Sequence, residues 1–246
     1  MKILELFSGT ASFSNVCKAR GHEIFTVDNN PQFNPDLCID IMELTSDIIL
    51  EKFGKPDIIW ASPPCQKFSI MTVYKNWEKI GENEYRPKNK DAIHAQEIVK
   101  HTLKLIAELK PRYYFIENPR AMLRKQEFML DIPRKTITYC QYGLEYQKAT
   151  DIWTNCKAWL PKPICSANSP CHVRAPRGSR FGVQGVNGLR KNRIQKYLDV
   201  SRILDGSKSI GVDYNWNMKA QVIRGIIPEE LCKEIIEAIE IESKKD

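Results

Sequence analysis

A cysteine stands at position 65 behind two prolines, in the stretch "ASPPCQKFSI" over residues 61–70. An ionised thiol is a strong nucleophile, and tandem prolines, which remove two backbone donors, suit a fixed, exposed turn better than a strand interior. The competing reading is a small core hydrophobe, the commonest fate of a free cysteine. A second group lies in "FIENPR", where Glu117 and Asn118 close an apolar run. Beside a nucleophile, a partly buried Glu117 is a candidate proton donor, because burial raises a carboxyl's pKa toward neutrality. A third group is the turn "LFSGTASFS", whose small residues around Gly9 let a ligand approach the backbone closely. Asp28 and Asp40 end the next two apolar runs. Asp28 falls where doubly wound nucleotide-binding folds put a ribose acceptor, although carboxylates at strand ends also serve as helix N-caps.

A different chemistry is open to Cys156, Cys165, Cys171 and His172, four soft or borderline ligands in a Pro-rich segment with little apolar material to fold around. A tetrahedral zinc could replace a core there. The spacing is not that of a standard zinc finger, and Cys171 and His172 are adjacent. Structural free thiols are the alternative.

These residues need a scaffold that delivers them to one edge. Residues 2–7, 22–28, 56–62 and 112–118 are apolar runs of strand length, and "DLCIDI" adds a short strand reaching Asp40. Helical spacing recurs over 13–20, about 43–53 and 91–109, so strands alternate with helices and a mostly parallel, doubly wound α/β sheet is expected. Chemistry in such a sheet gathers at the carboxyl ends of the strands. Residues 71–90 are polar, lack an apolar period and read as a mobile loop. From about 134, "KTITYCQYG" and "TDIWTN" read as a strand pair that could form the far edge of the sheet. The final "PEELCKEIIEAIEI" reads as a helix opened by proline and an acidic first turn. The expected organisation is a catalytic domain over 1–153, a small irregular basic lobe over 154–224, and a helix over 225–246 returning to the first domain.

The chain of 246 residues is 42% hydrophobic and can bury a substantial core. No apolar run reaches the roughly 18 residues a membrane helix needs, and "MKILELFSGT" lacks a signal-peptide pattern. A soluble, cytoplasmic protein without membrane contact is expected, with its eight cysteines reduced and no structural disulfide. The net charge of +7 is unevenly placed: residues 154–224 hold thirteen Lys and Arg against Asp199, Asp205 and Asp213. That segment therefore carries +10 and the rest of the chain −3. A segregated positive charge is the footprint of a phosphate-binding face.

The ordered set "LFSG", Asp28, Asp40, "PPCQ", "ENP" and "QYGLEYQKATDIW" resembles the cytosine carbon-5 methyltransferase family, in the compact form seen in phages and prophages. The likeness covers nearly the whole chain outside the basic segment, and its specific part is Pro-Cys-Gln followed by Glu-Asn. The resemblance implies a Rossmann-like fold dependent on S-adenosylmethionine. Phe7, Gly9, Thr10 and Ala11 would line that cofactor, Asp28 would hold its ribose, Asp40 its adenine, and Pro64 would touch it from the catalytic side. Cys65 is the implied nucleophile toward carbon 6 of cytosine, with Glu117 at the ring nitrogen and exocyclic amine. Asn118 and Lys148 are lesser candidates for orienting the base. The base must be flipped out of double-stranded DNA to be reached, and the protein is expected to act as a monomer in a bacterial or phage-infected cell.

Three features depart from the family pattern. The glycine pair usual in the first turn is replaced within "TAS", the arginine expected soon after Gln147 is absent, and "IRGIIPEEL" stands where a Gly-Asn-Ser element is usual. An RNA cytosine methyltransferase or a catalytically silent nucleic-acid-binding module stay open as alternatives. Arg177, Arg180 and Gln184 have side chains suited to purine edges or to phosphates. The recognition sequence and a companion restriction enzyme are not legible.

Overall fold

The computed structural model describes residues 1–144, 147–166, 169–172 and 225–244. Its centre is a seven-stranded sheet of order β3-β2-β1-β4-β7-β9-β8. The strands are β1 (Lys2–Leu6), β2 (Glu23–Asp28), β3 (Leu37–Cys38), β4 (Ile58–Ala61), β7 (Tyr113–Pro119), β8 (Arg134–Thr138) and β9 (Ala149–Thr154), with β5 (Trp77–Lys79) and β6 (Tyr85–Pro87) forming a separate hairpin. The pairs from β3 through β7 are parallel, whereas β9 runs antiparallel to both β7 and β8. From β1 the chain winds outward through β2 and β3 on one side and through β4 and β7 on the other. The reversal leaves a crevice beyond the carboxyl ends of β1 and β4.

The central strands are apolar on both faces because helices cover both. Ile59 and Ala61 of β4 join Leu4, Leu6 and Ile116 in one core, into which α2 (Ser46–Lys52) and α4 (Lys90–Leu109) send Ile49, Val99 and Leu105. Ile58 and Trp60, on the alternate face, meet Phe13 of α1 (Ser12–Ala19) and Phe115, with ring centroids 4.6 and 5.8 Å from Trp60. The last helix, α5 (Glu229–Ser243), completes this second core with Leu231, Cys232, Ile235, Ile236 and Ile239. Its Glu240 accepts from Arg20 at 2.6 and 3.1 Å, fastening it to the end of α1.

Two expectations change. The stretch 71–90 is not a bare loop: it holds a short helix, α3 (Val73–Asn76), and the β5–β6 hairpin, anchored by Trp77 stacked on the buried Phe68 at 5.5 Å. Trp77, with Tyr85 and Val73 packed against the same core, holds it there without any apolar period. The strand expected through residue 143 stops at Thr138, and Tyr139–Tyr142 form a 3-10 turn closed by Gly143 at φ 88°. The larger part of the basic segment, with Arg177, Arg180 and Gln184, lies outside the described residues. Among the described residues no helix is long and apolar enough to cross a membrane.

Candidate active site

Cys65 lies just past β4, in a loop fastened at nearly every residue. Asn118 Nδ2 donates to the carbonyl of Pro63 at 2.9 Å, and the Phe68 amide donates to the Cys65 carbonyl at 3.0 Å. Thr72 Oγ1 donates to the Gln66 carbonyl at 2.6 Å and Trp77 Nε1 to that of Lys67 at 2.7 Å. The hairpin thus serves as a brace for the cysteine loop. Cys65 is half-buried, while Pro64 and Gln66 are exposed, so the thiol sits at a rigid, accessible turn.

Glu117 and Asn118 come from β7, the neighbour of β4, where Ala61 pairs with Ile116. Glu117 is buried at 5% exposure, and its Oε1 accepts from Tyr139 Oη at 2.9 Å and Lys148 Nζ at 3.3 Å. Lys148 also lies over the Tyr139 ring, 4.5 Å from its centroid. A buried carboxylate is thereby matched by one cation and one hydroxyl. Asn118 is fully buried, and its Oδ1 has no partner among the described residues. A buried acceptor left open is available to a polar ligand.

The position where the expected arginine is absent has a structural counterpart. Lys148 supplies a positive charge at Glu117, and nearby guanidinium groups are engaged elsewhere: Arg124 and Arg134 face the buried Asp151 at 3.1 and 3.7 Å. Burial raises the pKa of Asp151, opposed by Thr136 Oγ1, which donates to it at 2.7 Å, and by those arginines.

The turn after β1 is built for close approach. Phe7, Gly9 and Ala11 have φ of 56°, 48° and 53°, in the left-handed region that L residues rarely occupy. Ala11 fills the N-cap position of α1 without a capping side chain, and Glu5 of β1 instead accepts from the Ser14 amide at 2.8 Å. Burial pushes the Glu5 carboxyl up to about 7. Asp28 Oδ2 accepts from the Gly9 amide at 2.9 Å and Oδ1 from the Asn30 amide at 2.8 Å, so the carboxylate shapes the turn and keeps lone pairs for a ligand. A Cβ placed on Gly9 would meet no atom within 4 Å. This open, Asp-flanked turn fits a nucleoside-bearing group such as S-adenosylmethionine. Asp40 lies in the loop beyond β3, exposed, with Oδ1 accepting from the Met42 amide at 2.9 Å. Thr10 and Ser12 share a hydroxyl contact of 3.0 Å in the same turn.

Of the four residues read as metal ligands, three come together. Cys165, Cys171 and His172 form a cluster whose fourth member is Cys140. Cys156 is instead 1% exposed in the apolar core beside Trp159 and Phe115. It follows directly on β9, and the sheet fixes it on the α5 face. Cys140 was hidden because "KTITYCQYG" reads as an uninterrupted strand. Tyr139 and Gln147 also emerge only from the fold: Gln147 Nε2 donates to Cys165 Sγ at 2.9 Å. Their proximity depends on β9 returning beside β7, which local spacing does not encode.

A family model described as C-5 cytosine-specific DNA methylase matches residues 1–149. A Frog virus 3 (isolate Goorha) protein bearing the name "Probable DNA (cytosine-5)-methyltransferase" is 31% identical over 186 residues, 74% of this chain and 83% of that protein. Among solved structures, the S. pombe Dnmt2 methyltransferase superposes with a TM-score of 0.54 at 11% identity, covering 100% of this chain and 99% of that one, which speaks for the fold. A candidate DNA modification methyltransferase encoded within an E. coli prophage gives a TM-score of 0.48 at 17% identity. That match covers 71% of this chain, which spans only 57% of the prophage protein.

Proposed function

The chain belongs to the C-5 cytosine-specific DNA methylase family, and on that premise we propose that it methylates carbon 5 of cytosine in double-stranded DNA through a temporary bond from Cys65. The observation that carries the mechanism is the pairing of a rigid, accessible Cys65 turn with Glu117, buried on the adjacent strand between Lys148 and Tyr139. Carbon 5 of cytosine is too weak a nucleophile to take a methyl group unaided. The Cys65 thiolate adds to carbon 6 and pushes the ring electrons onto carbon 5, making it an enamine carbon. Both contacts to Glu117 fall on Oε1, and we assign Oε2 to ring nitrogen 3, where the carboxyl stabilises the charge that develops. Asn118 orients the base through its open Oδ1 and holds the cysteine loop through Pro63.

S-adenosylmethionine supplies the activated methyl group. Phe7, Gly9, Thr10 and Ala11 would line it, Asp28 would hold its ribose and Asp40 its adenine, and Pro64 would touch it from the catalytic side. After methyl transfer the carbon-5 proton passes to solvent water, its bonding pair forms the carbon 5–carbon 6 double bond, and Cys65 leaves carbon 6 as a thiolate, so the ring recovers its aromaticity. Reaching the base requires flipping it from the duplex. The hairpin beside Cys65 covers the flipped base, the basic segment beyond the core residues Cys156 and Trp159 recognises the target, and the protein works as a monomer.

DNA containing 5-fluorocytosine tests the chemistry, because fluorine blocks the last proton loss. A denaturation-resistant protein–DNA adduct is expected that maps to Cys65 and needs S-adenosylmethionine for completion. Cys65→Ala should abolish methylation while still binding cofactor, and Glu117→Gln should form the adduct much more slowly. Methylation by Cys65→Ala would overturn the mechanism; methylation of matched RNA and not DNA would overturn the substrate.

A further inference from the structure

The cluster of Cys140, Cys165, Cys171 and His172 takes no part in the chemistry above, yet its four ligand atoms lie within 4.8 Å of one another. Cys140 Sγ is 3.1 Å from Cys165 Sγ and 3.6 Å from Cys171 Sγ. His172 Nδ1 is 3.5 Å from Cys171 Sγ and 3.8 Å from Cys165 Sγ. Around a tetrahedral zinc with Zn–S near 2.3 Å, sulfur–sulfur edges are about 3.8 Å and sulfur–nitrogen edges about 3.5 Å. These four spacings lie within about 0.7 Å of such edges, and every pair in the cluster stays within 4.8 Å. Three thiols and an imidazole are a soft donor set that favours zinc over magnesium or calcium. Cys140, Cys165 and His172 are buried, and an imidazole set against the sulfurs of Cys165 and Cys171 gains little as packing.

We propose that Cys140, Cys165, Cys171 and His172 bind one zinc ion in a closed tetrahedral site that fastens the start of the basic segment to the edge of the catalytic sheet. Four protein ligands leave no position for a water, which makes the site structural. Its location gives it a second consequence. Cys140 follows Tyr139, and Gln147, which donates to Cys165, precedes Lys148, so the ion braces both groups that contact Glu117.

Full-length protein purified with reductant and passed over a chelating resin should retain one zinc per chain by elemental analysis. Cobalt exchanged into it should show the visible ligand-field bands and thiolate charge transfer of a tetrahedral site. Cys140→Ser and His172→Ala should each cut zinc to less than a tenth per chain and abolish the cobalt spectrum, whereas Cys156→Ser should leave both unchanged. Should the ligand variants fail to fold, titrating the native protein with a mercurial should release the zinc as three thiols react. A folded protein that holds neither zinc nor cobalt, full zinc in Cys140→Ser, or a Cys140–Cys165 disulfide mapped in place of the metal would overturn the proposal. None of these readings depends on methyl transfer, so they stand apart from the fate of Cys65.

Discussion

A carboxylate and an ammonium 3.3 Å apart, with side chains only 7% and 15% exposed, depend on one another more than a surface pair does. Lys148→Ala would leave Glu117 buried with the Tyr139 hydroxyl as its one side-chain partner among the described residues. Methyl transfer in single turnovers with saturating DNA should slow by roughly 10²-fold, the scale of losing one preorganised charge at a reacting centre. Affinity for S-adenosylmethionine should hold, and Lys148→Arg should recover part of the rate. An unchanged rate in Lys148→Ala would remove the lysine from the site. At this scale the groups proposed to react were visible in the sequence, since a cysteine behind two prolines and a Glu-Asn pair are local signals. It was silent about Tyr139, whose hydroxyl becomes meaningful only when β9 and the turn after β8 fold back beside β7. Ala11 is an intermediate case: the departure from glycine is visible in "TAS", while its left-handed φ of 53° is a property of the folded turn.

Glu5 shows how an element is joined to its neighbour. It stands on a buried strand and accepts from the Ser14 amide, holding the start of α1, which lacks a side-chain cap of its own. Burial raises its pKa from 4.5 to about 7. Between those values the folded protein holds a proton that the unfolded chain has released, so stability falls as pH rises through that window. The shift is worth about 3 kcal/mol for a fully buried group. Glu5→Gln keeps an acceptor without a charge, and urea unfolding at pH 5 and pH 8 should show a smaller difference in stability for the variant than for the parent protein. An identical pH dependence in both would mean that the carboxyl is solvated. The elements with continuous apolar runs, β1, β2, β4 and β7, were legible because burial on both faces leaves an unmistakable composition. The β5–β6 hairpin was not, since Trp77, Tyr85 and a set of side-chain hydrogen bonds replace a periodic core.

Across the whole molecule, charge is divided between a near-neutral catalytic sheet and residues 154–224, which carry +10 against −3 for the remainder. Such a division lets one part hold the duplex by its phosphates while the other acts on a single extruded base, and it predicts that the two can be weakened separately. If the segment neutralises about six phosphates, DNA affinity should fall roughly 10³-fold between 50 and 200 mM salt through counterion release. Replacing Arg177 and Arg180 with alanine should flatten the logarithmic salt slope by about two and lower DNA affinity. S-adenosylmethionine affinity should change little, because the residues proposed to hold it all lie before position 65, at the turns after β1, β2, β3 and β4. Filter binding across a salt series, with calorimetry for the cofactor, gives both quantities on one preparation. A shallow salt dependence, or an equal loss of DNA and cofactor binding in the double variant, would show that the basic segment is not a separate phosphate-gripping unit but a part of the scaffold on which the cofactor site rests.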